Sequence, residues 1–288
     1  SFKCQNCGAA HTTFGFLQAA FPDQVQAYKT AKFKSSSSGM FNGWNTEHKP
    51  ETPPNPQNRV VLKKRDASEV SIPELDLNAA ASVYVRSRGI PKQSRILHTT
   101  NFEKWFNERF PDNQYTALPK DERILFPLKT REGKLIGVNA RSIAPNPSMR
   151  YITLKVDDNY PKVYGMDFVN SSLPVFVVEG PIDSLFLPNA IALTGGDIGD
   201  IMSVLSDVKV KYFALDNEPR SKDTINRMQK AIDSGGNVCF WQVDEQYKDI
   251  NDMVLKGGMT SKEVTKHIID NSYSGAKAKL VLSKWKKI

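Results

Sequence analysis

Cysteine is scarce in this chain of 288 residues: only Cys4, Cys7 and Cys239 occur. One close pair and one distant residue make no disulfide framework, so a reducing compartment is expected. Long apolar runs are also missing. None approaches the ~20 residues that a membrane-crossing helix needs, and no basic-then-apolar leader opens the chain. A secreted or membrane life is therefore not expected. No internal repeat is evident. The chain starts at Ser1 without an initiating Met, from which we expect that an N-terminal piece is missing. Negative charge is in deficit: 31 Asp and Glu face 39 Lys and Arg, a net charge of +8. That balance favours a polyanionic partner. What is present is ordinary for a globular chain, with 40% hydrophobic residues and length enough for one large domain or two modest ones.

Five segments are expected. Residues 1–33 hold "CQNC" and an aromatic-rich stretch in which Phe14, Leu17 and Phe21 line one face of a short helix. Residues 34–76 lose periodicity through "KSSSSG", "PETPPNPQN" and "KKRD", a composition that buries no core and reads as a linker. Residues 77–170 open with "LNAAASVYVRSRGIP", where Asn78 caps a helix, Gly89 suits its C′ position and Pro91 forbids continuation. In "NFEKWFNERF" the aromatics Phe102, Trp105, Phe106 and Phe110 fall at helical spacing. A core-facing stripe is favoured there over a base-stacking platform. "RILFPLKTREGKLIGVNARSI" reads as a hairpin. From 171 to 260 short apolar strands alternate with single helices, which argues for a parallel sheet with crossovers. Residues 261–288 form a basic helical tail, rich in lysine from Gly275 onward.

Carboxylates end three of the expected strands. Glu179 follows "VFVV", with Asp183 four residues on; Asp216 and Glu218 follow "KYFAL"; Asp249 and Asp252 lie in "KDIND", after "NVCFWQV". Open α/β sheets bind ligands beyond the carboxyl ends of their strands. Carboxylates gathered there repel one another, and a bound Mg²⁺ resolves the conflict. Simpler readings exist for single acids. Asp183 suits a helix N-terminus, and Asp249 with Asp252 suits a cap and first turn. The recurrence at three strand ends favours a shared crevice.

"EGPIDSL", "LDNEP" and "KDIND" resemble the signature of TOPRIM proteins, the metal-binding module of bacterial-type primases, topoisomerases and some nucleases. The resemblance implies that Glu179, Asp183, Asp216, Glu218 and Asp249 gather Mg²⁺ or Mn²⁺, with Glu179, Asp216 and Glu218 catalytic. Glu218 departs from the family's second Asp by a longer arm, and Asn251 stands where bacterial primases carry a second acid. Upstream, "RILFPLKTREGKLIGVNAR", "MRYIT" and "PKVYG" resemble the basic cleft of those primases in the same order. By that match Arg123, Arg141, Arg150, Lys155 and Lys162 meet template or nucleotide. "VEGPIDSLF", "LTGG", "LDNEPR", "DTINRM" and "LSKWKKI" are similar to the primases of T-even-type bacteriophages.

The resemblance implies an α/β fold in which a TOPRIM sheet, Rossmann-like and mainly parallel, joins an α+β subdomain to form an RNA polymerase domain. It implies synthesis of short RNA primers on single-stranded DNA from ribonucleoside triphosphates, beside a hexameric replicative helicase, in the cytoplasm of an infected bacterium. Cys4 and Cys7 match the second half of the family's N-terminal zinc ribbon, so Zn²⁺ is expected only where the ribbon is complete. Cys239, in an expected strand, reads as a buried small apolar residue. Two rivals stand beside the primase: another TOPRIM enzyme such as a nuclease, and a non-catalytic module that binds single-stranded DNA or mediates recombination.

Overall fold

The computed structural model describes residues 80–91, 94, 96–116, 121–242 and 246–288, with two short strands near the N-terminus. The chain divides into two units, 1–63 and 64–288. In the first, β1 (Phe2–Lys3) and β2 (Ala10–His11) pair antiparallel. Cys4, Cys7, the expected helix through Phe14, Leu17 and Phe21, the expected linker and Asn78 lie outside the described residues.

The second unit begins with α1 (Ala80–Ser87). Its end has the reciprocal bonds of a glycine-terminated helix: Gly89, at φ +63°, donates to Arg86 O, and Ile90 N–H donates to Val85 O. A four-stranded antiparallel sheet follows, in the order β3 (Leu97–Thr99), β4 (Arg123–Lys129), β5 (Leu135–Ser142), β6 (Tyr151–Lys155). β4 and β5 are the expected hairpin. One sheet face buries Leu125, Val138 and Ala140 against α2 (Phe102–Arg109), whose Phe102 and Phe106 are buried with Phe110 just beyond. The aromatic stripe therefore faces the core, each ring contributing about 1.5–3 kcal/mol by burial. The other face sends Ile124, Phe126 and Leu128 into a core shared with the second sheet. Ile136 breaks the alternation. The β4–β5 register shifts beside it, and this bulge turns Ile136 into the shared core.

The second sheet has the order β11-β10-β9-β7-β8. β7 (Val175–Val178), β8 (Ala190–Ala192), β9 (Lys211–Ala214) and β10 (Asn237–Cys239) run parallel, and β11 (Ser272–Tyr273) pairs antiparallel with β10. All of β7 is buried, as its unbroken apolar run requires of a central parallel strand. Cys239 is buried in β10. The helices are α3 (Pro181–Ser184), α4 (Ile198–Val204), α5 (Lys222–Asp233), α6 (Ile250–Leu255), α7 (Ser261–Asp270) and α8 (Gly275–Trp285).

Residues 261–288 differ from the expected tail. β11 extends the sheet, and α8 buries Ala278, Leu282 and Trp285 in the shared core. Its lysines occupy the outer face, with Lys279 paired to Asp233 at 2.7 Å. Among the described residues no helix is long and apolar enough to cross a membrane.

Candidate active site at the carboxyl ends of the parallel strands

β7 is followed in sequence by β8 on one side of it, and then by β9 on the other. The chain reverses direction across the sheet at that point, and the crevice beyond β7 and β9 is where such sheets bind ligands. Val178 lies opposite Ala214, so Glu179 and Asp216 emerge side by side. The Asp216 N–H donates to Glu179 Oε1 at 3.2 Å. Gly180 then turns the chain into α3, with Pro181 at its first position. A Cβ on Gly180 would lie 2.7 Å from Asp183 Oδ2, so the motif's glycine clears room for its second acid. Asp183 Oδ1 accepts from the Asn251 N–H at 2.9 Å. Asp249 caps α6, its Oδ1 accepting from the Asp252 N–H at 2.8 Å.

The five acids are not equally compensated. Glu179 Oε2 accepts from Arg227 Nη1 at 3.0 Å. Glu218 pairs with Lys248 at 2.9 Å, and that hydrogen bond raises the Lys248 pKa. Asp183 and Asp216 are in no ion pair among the described residues. Burial first, and then the charge of Asp249, pushes Asp183 up to about 7. Burial, followed by repulsion from Glu179, Asp183 and Asp249, pushes Asp216 up to about 8. Glu179 is also raised by burial, against the opposing pull of Arg227 and the Asp216 N–H. Two carboxylates of one neighbourhood thus lack an ion-pair partner among the described residues, and their charged forms are disfavoured until a cation arrives.

That imbalance suits a divalent cation. Among the described residues no three Asp, Glu, His or Cys side chains close around one ion. The arrangement therefore fits Mg²⁺, which takes one or two carboxylates and completes its octahedron with water and phosphate oxygens, better than an ion that needs a protein cage. Asp252, a cap-region acid in the simpler reading, pairs with Lys256 at 2.7 Å on the outer face.

The basic residues separate into two groups. Arg123 is 3% exposed, with Nε on Asp121 Oδ2 at 2.7 Å and its terminal nitrogens on the carbonyls of Ala140 and Met149. These contacts engage all three of its guanidinium nitrogens within the fold. Lys155 is similarly engaged, donating to Tyr160 O at 2.7 Å and Asp158 O at 3.3 Å. Arg150 and Lys162 are exposed and in no ion pair among the described residues. Lys162 O accepts from Thr194 Oγ1 at 2.8 Å, which sets Lys162 beside the end of β8. Gly195 and Gly196 follow there as a turn; a Cβ on Gly196 would meet Lys162 O at 3.0 Å. Arg141 lies over the rings of Tyr84 and Tyr151, and its Nη1 donates to Tyr151 Oη at 2.7 Å.

Sequence reasoning missed Arg227, Lys248 and Asn251 as members of the site. Asn251 is buried, donating through Nδ2 to Arg88 O and accepting from Arg88 Nη1. It ties the end of α1 to the acid that its own N–H holds. An Asn where the family has an acid was the available signal.

No family model matches the chain. It is 33% identical over 294 aligned residues to the DNA primase of Enterobacteria phage T4, a match covering 100% of this chain and 82% of the relative. Among solved structures it is similar to the zinc-binding and RNA polymerase domains of the Aquifex aeolicus primase (TM-score 0.52, 21% identity, 68% of this chain and 56% of that one). It is also similar to the E. coli primase catalytic core (TM-score 0.51, 17% identity, 67% of this chain and 73% of that one). The expected α/β fold, a parallel TOPRIM-type sheet joined to an α+β half, is the fold of these catalytic domains. Given that full-length match to the phage relative, this chain belongs to the DNA primase family.

Proposed function

We propose that this chain joins ribonucleoside triphosphates into short RNA primers on single-stranded DNA, with its chemistry at the crevice beyond β7 and β9. The observation that carries the site assignment is the gathering of Glu179, Asp183 and Asp216 at the sheet's reversal point, with Asp183 and Asp216 in no ion pair among the described residues. Glu179, Asp183, Asp216, Glu218 and Asp249 are the residues that would hold Mg²⁺ or Mn²⁺. Bound there, the ion supplies charge neutralisation for the triphosphate and the attacking 3′-oxygen. The chain's own part is positioning. Arg150 and Lys162, both exposed and Lys162 beside the end of β8, bind phosphates of template or nucleotide. Arg141, held between two tyrosines, presents a fixed cation on the same side. Glu179 orients the reacting groups.

Residues 77–170 and 171–260 are the two halves of the polymerase domain in this reading, with 261–288 built onto the second. Residues 1–33, joined by 34–76, supply Cys4 and Cys7 as half of a zinc ribbon that reads the template start. A hexameric replicative helicase is the proposed partner, in the cytoplasm of an infected bacterium. The test is primer synthesis on single-stranded DNA with labelled ribonucleotides, with and without divalent metal. Metal-dependent RNA product is expected. Template cleavage in its place would favour a nuclease, and DNA binding indifferent to both metal and Glu179→Gln would favour a non-catalytic module.

A further inference from the structure

Arg227 stands on α5, a helix pinned by Ser221 as its cap and by the buried side chains of Ile225, Met228 and Ile232. That packing fixes which way Arg227 faces. One turn later on the same edge, Lys230 reaches Asp197 at 2.7 Å, whereas Arg227 reaches inward to Glu179 at 3.0 Å. The pair is mostly enclosed, with side-chain exposures of 33% and 21%. With Oε2 held by Arg227 and Oε1 by the Asp216 N–H, both oxygens of Glu179 are engaged.

We infer that Arg227 is the resident counter-ion of Glu179, a positioning residue that holds this carboxylate ready and competes with a divalent cation for it. The inference rests on the metal-site reading above. Its physical basis is the contrast within the cluster: Glu179 has a half-buried cation paired with it, while Asp183 and Asp216 are in no ion pair among the described residues. A carboxylate without that partner would lose the contact on its Oε2 and be free to swing toward solvent. Arg227, always charged, keeps it aimed. The same charge repels an incoming dication and shares the oxygen that the ion would take. Removing a merely structural arginine would damage the site and weaken metal binding. Removing a competing counter-ion would strengthen it. The two roles predict opposite signs.

The experiment titrates Mn²⁺ alone into the full chain by calorimetry, for wild type, Arg227→Met, Arg227→Lys and Glu179→Gln, with melting temperatures measured with and without Mn²⁺. Expected is Mn²⁺ binding that weakens in Glu179→Gln and tightens about fivefold or more in Arg227→Met. The metal-free melting temperature of Arg227→Met should fall below that of wild type, and saturating Mn²⁺ should close the gap. Arg227→Lys should restore both values toward wild type. Arg227→Gln carries the same expectation as Arg227→Met should the latter fail to fold. Affinity unchanged or weakened in the uncharged variants, with wild-type binding still dependent on Glu179, overturns the inference alone. A wild-type chain that takes up no Mn²⁺, or binds it regardless of Glu179, overturns the metal-site reading and the inference with it.

Discussion

An acid one helical turn beyond a strand needs the backbone beneath it cleared, and Gly180 does this for Asp183. The acids reached by that turn differ in what they do for the fold and for the chemistry. Asp216 is the sharpest test. Its replacement by Asn keeps shape and hydrogen bonding but removes the charge. Asp216→Asn should abolish primer synthesis, with single-stranded DNA affinity within about twofold of wild type by fluorescence anisotropy, because the proposed phosphate contacts lie elsewhere. Equal loss of both would count against a role in holding metal. The same residue sets a pH dependence. In the unfolded chain Asp titrates near 3.9, whereas folding pushes Asp183 up to about 7 and Asp216 up to about 8. The folded state therefore binds these protons more tightly. Their stabilising contribution is complete below about pH 4 and is lost as pH rises through about 7 and 8. With chelator present, the melting temperature should fall between pH 5 and 8. Asp216→Asn should melt several degrees above wild type at pH 8, at about 2–4 °C per kcal/mol recovered, and level with it near pH 4. Parallel curves for the two proteins would refute the charge argument.

At the scale of elements, legibility followed locality. α1 with its glycine end, the β4–β5 hairpin and the β7 run declared themselves because cap, turn and burial pattern are written within each segment. The acids were legible for the same reason, since Glu179 and Asp216 lie within two residues of their strands and Asp183 and Asp249 lie in the first turn or cap of a helix. Arg227 was not: its partner lies 48 residues away, and within α5 it reads as one more solvated cation. Ile136 was hidden because a bulge is a property of two strands together. In α8 a dense lysine pattern masked the stripe of Ala278, Leu282 and Trp285, which the shared core buries. The burial of Arg123 was hidden because a basic residue opening a strand gives no sign of which face it enters. Its burial makes a prediction of its own. Arg123→Ala leaves the Asp121 carboxylate and the carbonyls of Ala140 and Met149 without their donor. It should cost about 3 kcal/mol in denaturant unfolding, with the folded protein's DNA affinity unchanged. A selective loss of DNA binding at normal stability would return Arg123 to the nucleic-acid surface.

For the whole molecule, a net charge of +8 says little until exposed cations are separated from engaged ones. Arg131 is bound to Asp207, Lys134 to Asp157, and Lys155 to loop carbonyls. Charges already matched release few counterions when DNA arrives. Arg150 and Lys162 are exposed without such partners among the described residues, and Lys162 lies beside the end of β8, where the α+β half meets the parallel sheet through Tyr164 and Ala192. Salt dependence distinguishes the two groups, because each phosphate neutralised on a single strand adds about 0.7 to the slope of log affinity against log salt. Replacing Arg150 and Lys162 together by Ala should flatten that slope by about 1.4 in anisotropy titrations from low to moderate salt. Lys155→Ala should leave the slope unchanged while loosening the loop at Asp158 and Tyr160. The reverse pattern, with Lys155 dominating, would mean that its loop bonds break on binding and that the template runs along β6 instead of past the ends of the parallel strands.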